Sequence, residues 1–95
     1  MFQKISVTDL KKLDNLNLID IRSIEKYNNK HIMNAVNIPF NQLLINPDKY
    51  LDKNKKYYIY CQKGFQSRKL CQILASSGYN VVNINGGYEA WVLNE

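Results

Sequence analysis

Cys61 closes an apolar, aromatic run, Tyr57-Tyr58-Ile59-Tyr60, and opens a polar segment, Gln62-Lys63-Gly64-Phe65-Gln66. Ser67 then begins a helix-patterned stretch to Ser77. A thiol between a strand end and a helix start faces backbone N–H groups that have no partner inside the helix. Those donors and the helix dipole favour a negative charge on sulfur, which makes a nucleophile of it. Gly64 gives the loop the backbone freedom to curl with its amides inward, and Lys63 places a full positive charge beside it. Such a loop suits a thiolate, a bound anion, or a second sulfur atom carried on the first. The alternative is a buried strand-end thiol with no chemistry.

Other reactive side chains are few. Cys71 follows Leu70 in the stretch after the loop, on an apolar stripe with Leu74, and reads as a buried, inert thiol. To act as a resolving partner it would have to bring its Cα within about 7 Å of that of Cys61. His31 is the single histidine and reads as a packing and hydrogen-bonding residue. Two isolated thiols without a Cys/His cluster predict no metal site. A cysteine phosphatase loop needs Cys, five residues, then Arg. Here Ser67 holds that place and Arg68 stands one position too far on to clamp a tetrahedral anion.

The elements that must hold this loop alternate along the chain. Gln3 to Ile5 reads as a strand, followed by a short helix capped by Ser6 or Thr8 with Leu10 and Leu13 inward. Leu16 to Ile21 reads as a second strand with Asp20 and Arg22 at its end, and Ser23 starts a helix over Ile24 to Asn28. Val36 to Ile38 is a brief strand stopped by Pro39; Asn41 caps a helix through Ile45, ended by Pro47, and a turn covers Asp48 to Leu51. After the Cys61 loop and its helix, Gly78 suits a left-handed helix end, Asn80 to Ile84 is the last strand, Gly86-Gly87 a turn, and Tyr88 to Leu93 a closing helix with Ala90 and Trp91 inward. This alternation predicts an α/β fold, a parallel sheet with helices on both faces, whose ligands bind beyond the carboxyl ends of the strands. Cys61 and Asp20 both lie at such ends.

The chain has 95 residues, enough for one domain over 1–95 with its own core. No apolar run spans a bilayer and the N-terminus lacks an apolar leader, so no membrane association is expected and the cytoplasm is the expected compartment. The net charge is +5, but lysine supplies 11 of the 13 basic residues and is spread along the chain. That distribution predicts a mildly basic surface that gathers small anions, and no nucleic-acid partner.

The loop Cys61-Gln62-Lys63-Gly64-Phe65-Gln66-Ser67 resembles the active-site loop of rhodanese-like sulfurtransferases. The likeness extends to Leu18-Ile19-Asp20-Ile21-Arg22, similar to the family's Asp-x-Arg strand. It includes Glu25-Lys26-Tyr27, then His31-Ile32, Ala35, Asn37, Ile38 and Pro39, and the closing Gly86-Gly87-Tyr88-Glu89-Ala90-Trp91. The resemblance implies a five-stranded parallel sheet and covalent sulfur transfer through a Cys61 persulfide, without metal or cofactor. It implies that Gln62 to Ser67 bind the substrate and that Asp20 and Arg22 pair beside the loop, with a purely structural ion pair as the alternative. The partners implied are a small sulfur-donor anion such as thiosulfate and a thiol or protein-thiol acceptor, with cyanide as the laboratory acceptor. A monomer is expected. Two departures stand out: Gln66 where many members have Arg, which weakens thiosulfate as the natural donor, and Lys30 where Gly usually precedes the histidine. A non-catalytic binding module on the same fold and a thiol redox sensor are the competing functions.

Overall fold

The computed structural model describes residues 2–95. Its elements run β1 (Gln3–Ile5), α1 (Val7–Leu10), β2 (Leu18–Asp20), α2 (Ile24–Asn29), β3 (Val36–Asn37), α3 (Phe40–Ile45), a 3₁₀ turn (Pro47–Lys49), β4 (Lys56–Tyr60), α4 (Phe65–Ser76), β5 (Asn80–Ile84) and α5 (Gly87–Leu93). The strands form one five-stranded sheet in the order β1-β5-β4-β2-β3, and every neighbouring pair is parallel. The expected α/β architecture is the one observed.

Alternation along β4 sends side chains to two cores, as a parallel sheet covered on both faces requires. Tyr57, Ile59 and Cys61 join Ile19, Val81 and the α3–α4 residues Leu43, Leu70, Cys71 and Leu74. Tyr58 and Tyr60 join Leu18, Val82, Ile84 and the α1 residues Val7 and Leu10, with Ala90 and Trp91 of α5 packed against them. The sulfur atom of position 61 therefore lies on the α4 face. No helix among the described residues is long and apolar enough to cross a membrane.

Several boundaries differ from the sequence expectation, each for a local reason. Helix α4 begins at Phe65, not Ser67, because Gly64 adopts φ +96° and turns the chain at once; Arg68 N–H already reaches Gly64 O at 3.2 Å. Phe65, Gln66 and Ser67 thus form the first helical turn, and the loop proper is Gln62 to Gly64. Helix α3 starts at Phe40 with Pro39 at its cap, so Asn41 lies inside it and caps nothing; Leu43 N–H closes the first turn on Pro39 O at 3.1 Å. Ser6 is the α1 cap, accepting from Asp9 N–H at 3.1 Å, but the helix stops at Leu10 and leaves Leu13 exposed. The second strand is regular only over Leu18–Asp20, although Tyr58 N–H to Asn17 O and Ile21 N–H to Tyr60 O extend its pairing with β4. Ser23 caps α2 and Gly78 is left-handed, as expected.

Candidate active site

The carboxyl ends of β2 and β4 bring Asp20, Arg22 and Cys61 to one edge of the sheet. Around Cys61 the chain folds back on its own sulfur. Gly64 N–H reaches Sγ at 3.1 Å and Ser67 N–H at 3.3 Å, and the Ser67 hydroxyl lies 3.3 Å away. The residue is only 5% exposed, so the sulfur sits at the bottom of its cradle. The inward curl expected from Gly64 is realised by two backbone amides, one from the loop and one from the first turn of α4. This is a set of donors aimed at one atom, suited to negative charge on sulfur.

The loop is held down from the far end of the chain. Tyr88 N–H donates to Cys61 O at 2.8 Å and Glu89 N–H to Gln62 O at 3.0 Å. The start of α5 therefore caps the carbonyls that the loop turns outward, while the loop amides turn in to the sulfur. The approach is so close that a side chain on Gly87, at φ +61°, would put its Cβ 2.4 Å from Cys61 O and 2.8 Å from Gly64 N. The sequence reads Gly86-Gly87 as a turn and as part of the closing motif, without this contact. The paired glycines directly before the closing helix were the signal for this close backbone approach.

On the other side, Arg22 ties the loop to β2. Its Nη2 lies 2.8 Å from Asp20 Oδ2, its Nε lies 3.1 Å from both carboxylate oxygens, and its Nη1 donates to Gln62 Oε1 at 3.1 Å. Asp20 is fully buried and Arg22 is 7% exposed. Burial disfavours the guanidinium charge, but the hydrogen bonds and charge of Asp20 outweigh it and raise the Arg22 pKa above its ordinary value. The cation also lies over the Tyr88 ring, 4.2 Å from its centroid. Arg22 Nη2 donates to Lys30 O at 2.7 Å, and Lys30 sits in extended backbone that any residue adopts, so glycine is not required there.

The remaining residues fall into place around this centre. Lys63 is exposed and lines two grooves that flank the loop. One, of about 620 Å³, is walled by Lys4, Phe65, Arg68 and Asn85; the other, of about 420 Å³, by Arg22, Lys26, Lys30 and Tyr88. Glu89 is the single acidic residue in either wall. Phe65 is 71% exposed at the mouth, and Gln66 is exposed on the first turn of α4. His31 is remote from the sulfur: it stacks on Tyr27 at 3.8 Å, with Nδ1 2.8 Å from Tyr27 O. Cys71 is completely buried beneath Cys61, and burial first, then the neighbouring Cys61, push its thiol up to about 12. Tyr60, buried beside Asp20, is raised above the ordinary tyrosine range chiefly by burial, and its hydroxyl accepts from Ile32 N–H at 3.1 Å. Among the described residues no cluster of metal-ligating side chains occurs.

The fold, the parallel sheet order and the sulfur cradle define a class, and comparison with known proteins agrees. The Rhodanese-like domain model matches residues 6–94, and the chain belongs to that family. It is 36% identical over 80 residues to YtwF of Bacillus subtilis, a provisionally named sulfurtransferase, covering 82% of this chain and 75% of that protein. It is 30% identical over 95 residues to the thiosulfate sulfurtransferase GlpE of Coxiella burnetii, covering 96% of this chain and 88% of that one. The crystal structure of a rhodanese-like domain protein from Staphylococcus aureus superposes with a TM-score of 0.84 at 31% identity, over 95% of this chain and 91% of that chain.

Proposed function

We propose that this protein is a sulfurtransferase that carries sulfane sulfur as a persulfide on Cys61. The observation that carries the reading is the pair of backbone N–H groups, Gly64 and Ser67, converging on Sγ within 3.3 Å. In the first half-reaction the Cys61 thiolate attacks the outer sulfur of a donor such as thiosulfate. The new S–S bond forms as the bond to the sulfonate sulfur breaks, and sulfite leaves with the electron pair. In the second, an acceptor thiolate attacks the outer sulfur of the persulfide and Cys61 departs as thiolate, restored for another cycle. Cyanide replaces the thiol in the laboratory. The loop amides that favour charge on sulfur also favour Cys61 as the leaving group.

Lys63 and the basic grooves gather the anionic donor, while the loop backbone from Gln62 to Ser67 shapes the cradle. Asp20 and Arg22 hold Gln62, and through it the loop, against β2. The absence of an arginine at Gln66 leaves no guanidinium at that point of the rim, which weakens thiosulfate as the working donor. Cys71 plays no part, since it stays protonated and buried. In this reading the chain acts as a cytoplasmic monomer.

Intact-mass measurement after exposure to thiosulfate, polysulfide and mercaptopyruvate tests the reading. The wild-type protein gains one sulfur from at least one donor, and Cys61→Ser gains none. A wild-type chain that stays at its unmodified mass with all three donors is a binding module instead.

A further inference from the structure

Asn83 is a polar residue in the middle of an apolar strand, 2% exposed, pointing from β5 toward α4. Its Oδ1 lies 2.5 Å from the Ser67 hydroxyl, and its Nδ2 lies 3.3 Å from Asn85 Oδ1 at the groove wall. Ser67 has one hydroxyl proton and three acceptors in reach: Asn83 Oδ1, Cys61 Sγ at 3.3 Å and Gly64 O at 3.4 Å. An amide oxygen brings no proton to a contact as short as that with Asn83, so the proton between them is Ser67's. With that proton committed, the 3.3 Å contact between Cys61 and Ser67 is a hydrogen bond only with the thiol as donor to Ser67 Oγ. The chain runs Cys61 to Ser67 to Asn83 to Asn85, with every bond directed away from the sulfur.

That direction suits a thiol and not a thiolate, which only accepts. When Cys61 loses its proton, Ser67 gains by turning its hydroxyl toward Sγ. Asn83 would then face Ser67 Oγ with two acceptors and no proton between them, at a buried site where an unpaired group costs about 1–3 kcal/mol. A half-turn of the carboxamide removes the conflict: Nδ2 donates to Ser67 Oγ, and the exposed Asn85 adapts to either direction. The geometry points to Asn83 as a positioning residue whose amide reverses with the protonation of Cys61, so that Ser67 serves the thiol as acceptor and the thiolate as donor. This rests on Cys61 being the sulfur nucleophile, and it adds how that nucleophile is released. The charged or titratable groups around the cradle are Lys63 in the loop, Arg68 on α4, Lys4 beside Asn83 on β1, Arg22 with Asp20 and Glu89 around Gln62, Cys71 beneath, and Tyr60 and Tyr88; none hydrogen-bonds to Ser67 or Asn83.

The test follows the Asn83 side-chain amide by ¹⁵N NMR during a pH titration, with Cys61 Cβ as the reporter of its thiol. No sulfur donor is needed, so a protein inert toward donors still reports on the relay. In the wild type the Asn83 amide shifts with the same midpoint as Cys61; in Ser67→Ala, Cys61 titrates and Asn83 does not follow. Asn83→Asp, an acceptor only when ionised, slows Cys61 alkylation at neutral pH roughly tenfold, the equivalent of one hydrogen bond. The same substitution in a Ser67→Ala background slows alkylation less, leaving only the field of the new carboxylate. An Asn83 amide that stays flat through the wild-type titration overturns the proposal. So does an equal response with and without the Ser67 hydroxyl, which would be a field effect through space.

Discussion

Replacing Arg22 with methionine strands a carboxylate. Asp20 is fully buried, and the guanidinium supplies its only countercharge and three of its hydrogen bonds; the Arg22 backbone N–H, 2.8 Å from Oδ1, and the neighbouring Tyr60 hydroxyl would remain. Methionine keeps the unbranched apolar length over Tyr88 but none of the charge. Breaking a buried pair from one side costs about 3–5 kcal/mol, against about 5–15 kcal/mol for a whole domain. Arg22→Met should therefore lose about a fifth or more of the stability, read as a lower urea midpoint at unchanged slope. Neutralising the stranded group should recover part of the loss, so Arg22→Met with Asp20→Asn should be more stable than Arg22→Met alone. The reasoning is refuted if the single substitution costs less than about 1 kcal/mol, the worth of a surface pair, or if the second substitution adds to the damage.

The glycine contact and the lower thiol make independent predictions. Gly87→Ala should cost at least about 2 kcal/mol, from positive φ and from a Cβ forced onto Cys61 O, and should cut persulfide loading at least tenfold. Gly78→Ala, equally left-handed at φ +94° but with its Cβ 3.7 Å from a flexible lysine end, should lose stability and keep loading; equal loading by the two variants would count against the contact. Cys71, with its thiol pushed up to about 12, keeps its proton in the fold after the unfolded chain has released it. Its contribution is complete below about pH 8.5 and falls above that by up to about 1.4 kcal/mol per pH unit. Urea midpoints across the alkaline range should fall less steeply for Cys71→Ala than for wild type, and parallel curves would refute the assignment.

The fold was legible because its periodicities are clean. Val81-Val82 and Tyr57 to Tyr60 are strand-like on both faces, and Ser6, Ser23 and Gly78 punctuate the helices as their side chains or lack of one dictate. The start of α4 was misplaced because Ser67 looks like a cap, while a left-handed Gly64 does that work three residues earlier. Cys61 and its loop could be singled out from strand, glycine and helix order alone. What could not be read were contacts between segments distant in the chain. The α5 amides on the loop carbonyls join residues 27 positions apart, and the Ser67–Asn83 bond joins residues 16 apart. Asn83 carried a faint signal, a lone amide between Val82 and Ile84, but its partner depends on the register of β5 under α4.

The grip of Tyr88 and Glu89 on the carbonyls of Cys61 and Gln62 has a temporal meaning for a chain made from its N-terminus. The strand that leads into Cys61 emerges well before the residues that brace its loop. Strand β1, although synthesised first, finds its only neighbour in β5, which is nearly last. A nascent polypeptide thus forms the strand and loop of Cys61 before the α5 amides that brace the loop carbonyls have been made.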